Sequence, residues 1–277
     1  MLREDLHRLI AALGADASLF EPGQLRRRIE ALDWLDAHPQ EPRGDALRAK
    51  LEAANAAVYE SIRTRIRQGS ARGALLPWIE CCAGSAQTEP SGLRFDCLDE
   101  LIGGLLQLRE PDSTGIAPAP EMVFYQPTPV RHILHMLRLC ALTQADTLID
   151  LGSGLGHVPI LASLLTGAHC IGVELEPAYI ATARECARNL NQRGVEFIRQ
   201  DAREADLSAA TIVYLYTPFT GSILNTVLNK LREQGAHRPL RIGAFGPCTQ
   251  IVAKEPWLAP EDATTAVDRV ALFRTRD

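Results

Sequence analysis

Up to about residue 110, apolar side chains recur every three or four positions, which is the spacing of amphipathic helices. Two helices are predicted over Leu2–Leu13 and Leu25–Leu35, and a longer one over 47–66 stops at Gly69. Shorter helices are predicted around ALLPWIECC and FDCLDELIGGLLQL. No strand-like alternation precedes residue 120, so residues 1–110 are predicted to form an all-helical N-terminal domain.

The pattern changes at EPDSTGIAPAP, residues 110–120, where prolines, glycine and small polar residues disfavour both helix and strand. We assign residues 111–120 to a linker and residues 121–277 to a second domain. There, short β-branched apolar runs alternate with helical segments, which predicts a mainly parallel α/β sheet with helices on both faces. The predicted strands are TLIDL (147–151), HCIGVEL (169–175), VEFIRQ (195–200), TIVYLYT (211–217), LRIGAFG (240–246) and, in addition, RVALFRT (269–275), and the predicted helices are 129–142, 155–166, 177–192 and 221–235.

The chain has 277 residues, 46% of them apolar, and a formal net charge of -5 that both halves share. This composition is ample for a buried core, and it disfavours nucleic acid as a partner because neither half is basic. The basic runs Arg26–Arg28 and Arg63–Arg67 lie in helical patterns with acids nearby. We therefore interpret both runs as solvated helix faces.

Seven cysteines without CxxC spacing indicate unpaired thiols in a reducing compartment. The opening MLREDLHRLI is not a basic-then-apolar leader, and no uncharged stretch reaches the roughly 18 residues of a membrane span. We expect a cytoplasmic protein with no membrane partner.

The stretch DLGSGLGHV places Gly152, Gly154 and Gly156 between a predicted strand and a predicted helix. Such a loop lets a ligand approach backbone N–H groups and the positive end of the helix. The dinucleotide fingerprint is GxGxxG, whose third glycine would fall at His157. The observed GxGxG spacing therefore disfavours a nicotinamide dinucleotide.

An acidic residue stands at or just after the end of each of the first three predicted strands. Asp150 ends the first predicted strand, Glu174 ends the second, and Asp201–Ala202 follows the third. The combination of DLGSGxG, GVE and QDA resembles the class I S-adenosylmethionine-dependent methyltransferases. This resemblance implies a Rossmann-like, doubly wound, seven-stranded sheet over residues 121–277.

The resemblance also implies how the cofactor is held. The loop Gly152–Gly156, including Ser153, would pass under the methionine part, and Asp150 would help to hold its amino group. Glu174 would accept the ribose hydroxyls, while Asp201 and Ala202 would bind the adenine.

A second resemblance, over about 122–250, is to the non-SET histone-lysine methyltransferases of the telomeric-silencing-disruptor type. It rests on DLGSGLGHVPILAS and on Tyr125-Gln126-Pro127-Thr128, which matches their Tyr-x-x-Thr element at both ends. Pro127 stands in place of their acid, and Tyr216-Thr217 stands in place of their paired asparagines, so lysine specificity is not carried over. The resemblance implies that Gln126, Thr128 and Thr217 contact the cofactor.

Tyr216-Thr217-Pro218-Phe219 keeps the second proline and the aromatic residue of the quartet that amino-methylating enzymes carry after the fourth strand, but it lacks the amide or acid. Base methylation of nucleic acid is therefore disfavoured. Tyr125 and Tyr216 are our candidates for the catalytic residues that line the methyl channel.

Two polar residues keep two interpretations each. Thr128 either belongs to a loop that closes over the cofactor or caps the following helix. His157 is either a helix-face residue or a base. His132 and His135 share one helix face, but no Cys, Asp or Glu pattern accompanies them, so no metal site is predicted.

The sequence thus predicts a methyltransferase that uses S-adenosylmethionine and acts on a protein side chain or a small molecule. Two alternatives stay open: a regulatory protein that binds the cofactor without turnover, and an NAD(P)-dependent oxidoreductase. The helical domain would cover the site, recognise the substrate or form a homodimer.

Overall fold

The computed structural model describes residues 3–38, 42–83, 91–111, 121–261 and 266–276. The chain divides into two compact units, Met1–Ala86 with Phe95–Gln107, and Gln87–Arg94 with Leu108–Asp277. From residue 112 onward the predicted linker lies outside the described residues, so the predicted domain boundary stays a prediction.

The first unit is built from helices, as the apolar spacing predicts. They are α1 (Arg3–Ala15), α2 (Leu25–Asp36), α3 (Pro42–Arg67), α4 (Ala71–Ala83) and α5 (Cys97–Leu106), with short 3₁₀ helices at Ala17–Phe20 and Pro22–Gln24 between the first two. A core cluster that includes Leu19, Leu35 and Leu51 joins α2, α3 and the first 3₁₀ helix. The 3₁₀ turns have no apolar period of their own, which is why the sequence pattern did not reveal them.

Two arginines correct the interpretation of the basic runs as solvated faces. Arg28 is fully buried, and its guanidinium donates to the Asn55 amide oxygen at 2.6 Å and to the Leu19 carbonyl at 2.9 Å. Arg63 is 6% exposed and donates to the Leu105 carbonyl at 2.7 Å. A buried guanidinium is tolerated because these acceptors replace water. The two arginines therefore tie loops and helices of this unit together.

Two adjacent glycines in α5 predict opposite effects on stability. A Cβ at Gly103 would meet open space, whereas a Cβ at Gly104 would overlap the ring of Tyr59 in α3. Replacing Gly103 by alanine should raise the free energy of unfolding by about 0.5–1 kcal/mol, because alanine loses less backbone entropy in a helix. Replacing Gly104 by alanine should lower it by about 1–3 kcal/mol through overpacking. Urea unfolding of both variants at an unchanged m-value measures the difference, and equal midpoints would contradict the close packing of α5 on α3.

The second unit contains a seven-stranded sheet in the order β3-β2-β1-β4-β5-β7-β6. Strands β1 to β5 are parallel to one another, and β7 runs antiparallel to β5 and β6. The strands are β1 (Thr147–Leu151), β2 (His169–Glu174), β3 (Val195–Arg199), β4 (Ile212–Tyr216), β5 (Arg241–Phe245), β6 (Leu258–Pro260) and β7 (Ala271–Thr275). The helices are α6 (Val130–Cys140), α7 (His157–Thr166), α8 (Pro177–Asn189), α9 (Gly221–Gly235) and the short α10 (Thr249–Val252).

Helices cover both faces of this sheet. On one face, Val213 of β4 belongs to a core cluster with Leu224 of α9. On the other, Gly243 of β5 lies against Tyr214 of β4 and Met136 of α6. The predicted α/β fold class and seven-stranded sheet are confirmed, and β6 is the strand that the apolar pattern missed. It is three residues long, pairs with β7 alone and contains Pro260, which is tolerated at a sheet edge.

Candidate functional site

A cavity of about 710 Å³ lies at the carboxyl ends of the parallel strands in the second unit. Its wall includes Asp150 near the end of β1, Glu174 at the end of β2, Asp201 after β3 and Tyr216 at the end of β4. Ligands of open parallel sheets bind at this edge, next to the switch in strand order between β1 and β4. The structure therefore brings the predicted strand-end residues together.

All three glycines of the loop after β1 have a positive φ: 81° at Gly152, 51° at Gly154 and 86° at Gly156. A Cβ at these positions would overlap Pro218, Tyr125 and Phe197 respectively. Gly152 and Ser153 line the cavity, whereas Gly154 and Gly156 do not. Because Gly154 and Gly156 have no Cβ, there is room for the aromatic rings that pack against them. The predicted contact of these two glycines with the cofactor stays a prediction.

The Glu174 carboxylate braces this loop. One carboxylate oxygen accepts from the Gly154 N–H at 2.9 Å, and the other accepts from the N–H groups of Leu175 and Glu176 at 2.7 and 2.9 Å. A carboxylate offers about four lone-pair sites, so one stays available for the predicted ribose hydroxyl.

Asp150 is 3% exposed, and no hydrogen bond to its carboxylate is found among the described residues. Burial, together with the negative charge of Glu174, raises its pKa to about 8. A buried carboxylate is costly unless a cation or a donor meets it. The Asp150 carboxylate is therefore suited to bind a positively charged group of a ligand in the cavity.

Ser153 is a second polar group without a partner. Its hydroxyl is buried and has no hydrogen-bond partner within the described parts of the chain, although the residue lines the cavity. Buried hydroxyls are usually paired, so this one is suited to a ligand.

At the end of β3, Asp201 is already engaged. Its carboxylate accepts from the Arg203 backbone N–H at 2.9 Å and from the guanidinium at 3.0 and 2.7 Å, and these bonds lower its pKa. Ala202 lines the cavity beside it. The predicted adenine contact of Asp201 would share the carboxylate with Arg203, a partner that the motif did not indicate.

Residues 121–128 form a strap along the cavity, and it is fixed near both ends. At its start, the Glu121 carboxylate accepts from the N–H groups of Ser222 and Ile223, at the first turn of α9. At its end, the Thr128 hydroxyl lies 3.2 Å from the Tyr214 hydroxyl. Pro129, and not Thr128, precedes α6 as its N-cap, so the helix-capping interpretation of Thr128 is wrong.

Tyr125 lies in the middle of the strap, followed by Gln126, which also lines the cavity. The Tyr125 ring fills the space above Gly154, and its hydroxyl lies 3.3 Å from Nδ1 of His157. Burial lowers the pKa of His157 to about 4, so the imidazole is neutral near pH 7. Its Nδ1 can then accept a hydrogen bond from the Tyr125 hydroxyl. Burial also raises the pKa of Tyr125, which keeps that proton in place.

At the end of β4, Tyr216 is half-buried and stacks on Phe245 with ring centroids 4.5 Å apart. Thr217 has a positive φ of 35°, donates its hydroxyl to the Phe245 carbonyl at 2.9 Å and accepts from the Cys248 N–H at 3.1 Å. Its hydroxyl proton is thus used inside the protein. Both residues line the cavity.

The cavity also contains residues that the motifs did not reveal. Leu175 and Glu176 follow Glu174 directly, so their place after a strand was a usable signal. Leu93 and the pair Val267–Asp268 come from segments far apart in sequence. The Gly92 N–H donates to the Asp268 carbonyl, and the Gly246 N–H donates to the Val267 carbonyl, each at 3.1 Å. No local sequence pattern indicates either of these hydrogen bonds.

The two histidines of α6 contact protein groups. His132 is buried against Phe245 and bonds the Gly92 carbonyl at 2.8 Å through Nε2. His135 lies 2.9 Å from the Arg138 guanidinium. Within the described ranges, no group of three or more His, Cys, Asp or Glu side chains could hold a metal ion.

Residues 142–236 match a protein-family model described as a methyltransferase domain. A protein-lysine N-methyltransferase from Saccharolobus islandicus (strain REY15A) is 28% identical over 136 residues, which are 47% of this chain and 75% of that protein. The solved structure of an RNA methyltransferase from Salinibacter ruber, in complex with S-adenosyl-L-homocysteine, is 31% identical, covers 54% of this chain and 92% of its own, and has a TM-score of 0.44. A precorrin-6y C5,15-methyltransferase from Geobacter metallireducens GS-15 is 18% identical, with coverage of 58% and 92% and a TM-score of 0.42.

The chain is therefore similar to the class I S-adenosylmethionine-dependent methyltransferases, and its match to the family model spans residues 142–236. It is an enzyme of the transferase class, as the strand-end motifs predict. No helix in the described ranges is long and apolar enough to span a membrane.

Proposed function

We propose that this enzyme binds S-adenosylmethionine in the 710 Å³ cavity and transfers its methyl group to a protein side chain or a small molecule. Bound there, the cofactor supplies an electrophilic methyl group on a sulfonium. The observation that carries the proposal is the buried carboxylate of Asp150, which has no hydrogen-bond partner in the described part of the chain and suits the cationic methionine end of this cofactor.

The other residues would divide the remaining contacts. The Gly152–Ser153 backbone and the orphaned Ser153 hydroxyl lie where the methionine part would pass. Glu174 keeps a free lone pair for the ribose, and Asp201 with Ala202 closes the adenine end. Tyr125 and Tyr216 also line the cavity, and we propose them for the channel through which an acceptor would meet the methyl group.

For this reaction the chain has to position two reactants and exclude water. Alignment of bound reactants can replace about 7–11 kcal/mol of the barrier, so an additional base is not required for a nucleophile that arrives unprotonated. The strap is suited to exclude water, because it is fixed at Glu121 and Thr128 and carries Tyr125 inward.

Calorimetric titration with S-adenosylmethionine, S-adenosylhomocysteine and NAD in parallel tests the cofactor. We expect both adenosyl ligands to bind and NAD not to bind. Glu174→Ala should weaken both adenosyl ligands about tenfold or more, because it removes the brace of the loop and the ribose acceptor together. The matched control is Glu196→Ala, which removes an exposed carboxylate of β3 that lies outside the cavity wall and pairs with His169.

Binding of NAD with no response to the adenosyl ligands would favour an oxidoreductase. Adenosyl binding with no methyl transfer to any acceptor would favour the regulatory alternative. The seven cysteines of the chain lack CxxC spacing, which supports the further proposal of a cytoplasmic location. Nucleic acid stays a disfavoured partner on charge alone, and a homodimer through the N-terminal helices stays a prediction.

A further inference from the structure

The Tyr125 side chain joins the strap to the glycine loop. A Cβ at Gly154 would lie 2.2 Å from the Tyr125 ring, so the ring packs directly on the backbone of the loop. The ring of Tyr179 in α8 also packs against it, with ring centroids 5.0 Å apart. The Tyr125 hydroxyl reaches the first turn of α7, where it lies 3.3 Å from Nδ1 of His157. Tyr125 therefore contacts the loop, α7 and α8 at once.

The hydrogen bond between Tyr125 and His157 has a definite direction. Burial lowers the pKa of His157 to about 4 and raises the pKa of Tyr125, so near pH 7 the imidazole is neutral and the phenol keeps its proton. The phenol oxygen already accepts a hydrogen bond from the Leu155 N–H, which acts on its pKa in the opposite sense to burial. A hydroxyl proton inside a protein is usually paired, and Nδ1 of His157 lies within reach as its acceptor. The proton of the imidazole ring is then on Nε2.

The strap is held before and after Tyr125 by contacts that do not involve this side chain. Before it, the Val123 N–H donates to the Pro218 carbonyl at 3.3 Å. After it, the Thr128 hydroxyl lies 3.2 Å from the Tyr214 hydroxyl. Tyr214 belongs to β4, and Pro218 lies in the segment directly after that strand. Both ends of the strap are thus tied to the same part of the second unit.

The middle of the strap has a different anchor. The residues next to Tyr125, Phe124 and Gln126, are both exposed, and Phe124 is 88% exposed. A segment that is held at both ends and exposed between them opens by moving its middle. For this strap, the opening motion lifts Tyr125 from Gly154 and separates its hydroxyl from His157. The hydrogen bond between Tyr125 and His157 therefore opposes that motion.

We propose that His157 is a positioning residue, which holds the Tyr125 hydroxyl, keeps the strap closed over the cofactor and thereby sets the rate of cofactor exchange. This inference rests on the proposed function, since it assumes that the cofactor lies in the cavity that the strap and His157 both line. Each turnover has to release S-adenosylhomocysteine and admit S-adenosylmethionine, and the opening of such a lid limits turnover in many enzymes. His157 acts through Tyr125 in this role, and no proton transfer to the substrate is assigned to it.

The ligand-free, full-length protein provides the first test, by NMR at pH 7 with tyrosine labelled at Cζ. The Tyr125 resonance is identified by its loss in Tyr125→Phe, and we expect it to shift in His157→Leu, which removes the acceptor. His157→Asn should keep the resonance near its wild-type position, because the asparagine amide oxygen can replace Nδ1 as the acceptor. Tyr59, in the helical unit, is the internal reference.

Labelled histidine nitrogens test the direction of the hydrogen bond in the same sample. We expect Nδ1 of His157 to carry no proton and Nε2 to carry one. A proton on Nδ1, or a Tyr125 resonance that does not respond to His157→Leu, would overturn the proposal.

The second test measures how fast S-adenosylhomocysteine dissociates from the immobilised full-length protein, by surface plasmon resonance. His157→Leu and Tyr125→Phe should each accelerate dissociation about three- to tenfold, which corresponds to the loss of one hydrogen bond. His157→Asn should restore dissociation to within about twofold of the wild-type rate. The matched control is His169→Leu, at a histidine of the same unit that lies outside the cavity wall and pairs with Glu196.

A double variant separates positioning from direct contact, because His157 lines the cavity and its replacement could act on the ligand itself. If His157 acts through Tyr125, the combination of His157→Leu with Tyr125→Phe dissociates no faster than either single variant, since all three lack the same hydrogen bond. Additive effects, of about 10- to 100-fold, would overturn the proposal. The same conclusion would follow if His157→Asn dissociated as fast as His157→Leu.

Failure of the proposed function would be a separate result. It would appear as a wild-type protein that does not bind S-adenosylhomocysteine, while the NMR signals of the ligand-free protein still report whether Tyr125 and His157 are paired.

Discussion

Replacing Asp150 by asparagine should weaken S-adenosylhomocysteine about 30- to 1000-fold and at the same time raise the melting temperature of the ligand-free protein. The loss of affinity follows from removing the charge that meets the ligand ammonium, since truncating one partner of a buried charged pair typically costs about 2–4 kcal/mol. The gain in stability follows because the ligand-free protein buries this carboxylate without a hydrogen-bond partner in the described residues.

The pH dependence has a definite sign. The folded-state pKa of Asp150 is about 8, above its ordinary value of 3.8, so between these values the folded protein holds a proton that the unfolded chain has lost. Its contribution to the free energy of unfolding therefore falls by up to about 1.4 kcal/mol per pH unit as the pH rises from 4 to 8. The variant lacks this loss, so its advantage in melting temperature should be largest near pH 8.

Ligand binding should show the converse dependence. Because the cation selects the ionised carboxylate, the affinity of the wild type for S-adenosylhomocysteine should rise about tenfold per pH unit between pH 5.5 and 7.5. Binding should release a proton, which calorimetry in buffers of different ionisation enthalpy detects. The asparagine variant should show neither effect.

Asp146 provides the control, at the other end of β1. Burial raises its pKa, but hydrogen bonds from Thr143 and Thr211 outweigh burial and leave the pKa below its ordinary value. Asp146→Asn should therefore lower the melting temperature and leave ligand affinity unchanged. A destabilised Asp150→Asn variant, or one with wild-type affinity, would contradict the assignment of Asp150 to a cationic ligand group.

Replacing Gly152 by alanine should abolish measurable cofactor binding, with a loss of more than about 100-fold. Its φ of 81° costs an alanine about 1–2 kcal/mol, and its Cβ would also overlap the Pro218 side chain. The loop or the segment after β4 must then move, and both line the cavity. Calorimetry with S-adenosylhomocysteine and a thermal unfolding curve measure the two effects.

A Gly69→Ala variant measures the free-energy cost of alanine at a positive φ without any steric overlap. Gly69 has a φ of 85° after α3, and a Cβ there meets nothing within 4 Å. Gly69→Ala should therefore lose about 1–2 kcal/mol of stability and retain full binding. If Gly152→Ala behaved like Gly69→Ala, the close approach of Pro218 to the loop would play no part in ligand binding.

The sequence predicted those parts of the fold and of the site that depend on residues close together in the chain. The apolar runs predicted β1 to β5 within a residue or two at each end, because the central parallel strands β1 and β4 are buried nearly throughout, while the edge strand β3 still alternates buried and exposed side chains at Val195 to Ile198. The glycine loop and the acids at or just after the ends of β1, β2 and β3 were found for a similar reason, since strand ends are local features that meet at one edge. The short β6 gave no signal, because three residues show no alternation.

The rest of the site depends on contacts between segments distant in sequence. Arg28 was assigned to a solvated face. Nothing in the run Arg26–Arg28 distinguishes the one arginine that donates hydrogen bonds to Asn55 and Leu19. Asp268 was missed because its place in the wall depends on Gly92, which lies far away along the chain. Arg203, the partner of Asp201, was adjacent in sequence and could have been weighed.

The reversed direction of β7 has a consequence for how such an enzyme diversifies. Because β7 runs antiparallel to β5, its leading residues, and not its trailing ones, reach the edge where ligands bind. The segment before β7 can therefore be lengthened, shortened or substituted by small genetic changes while the loops after β1, β2 and β3 stay as they are. Descendants of one ancestral gene can inherit the same methyl donor and still come to modify different molecules.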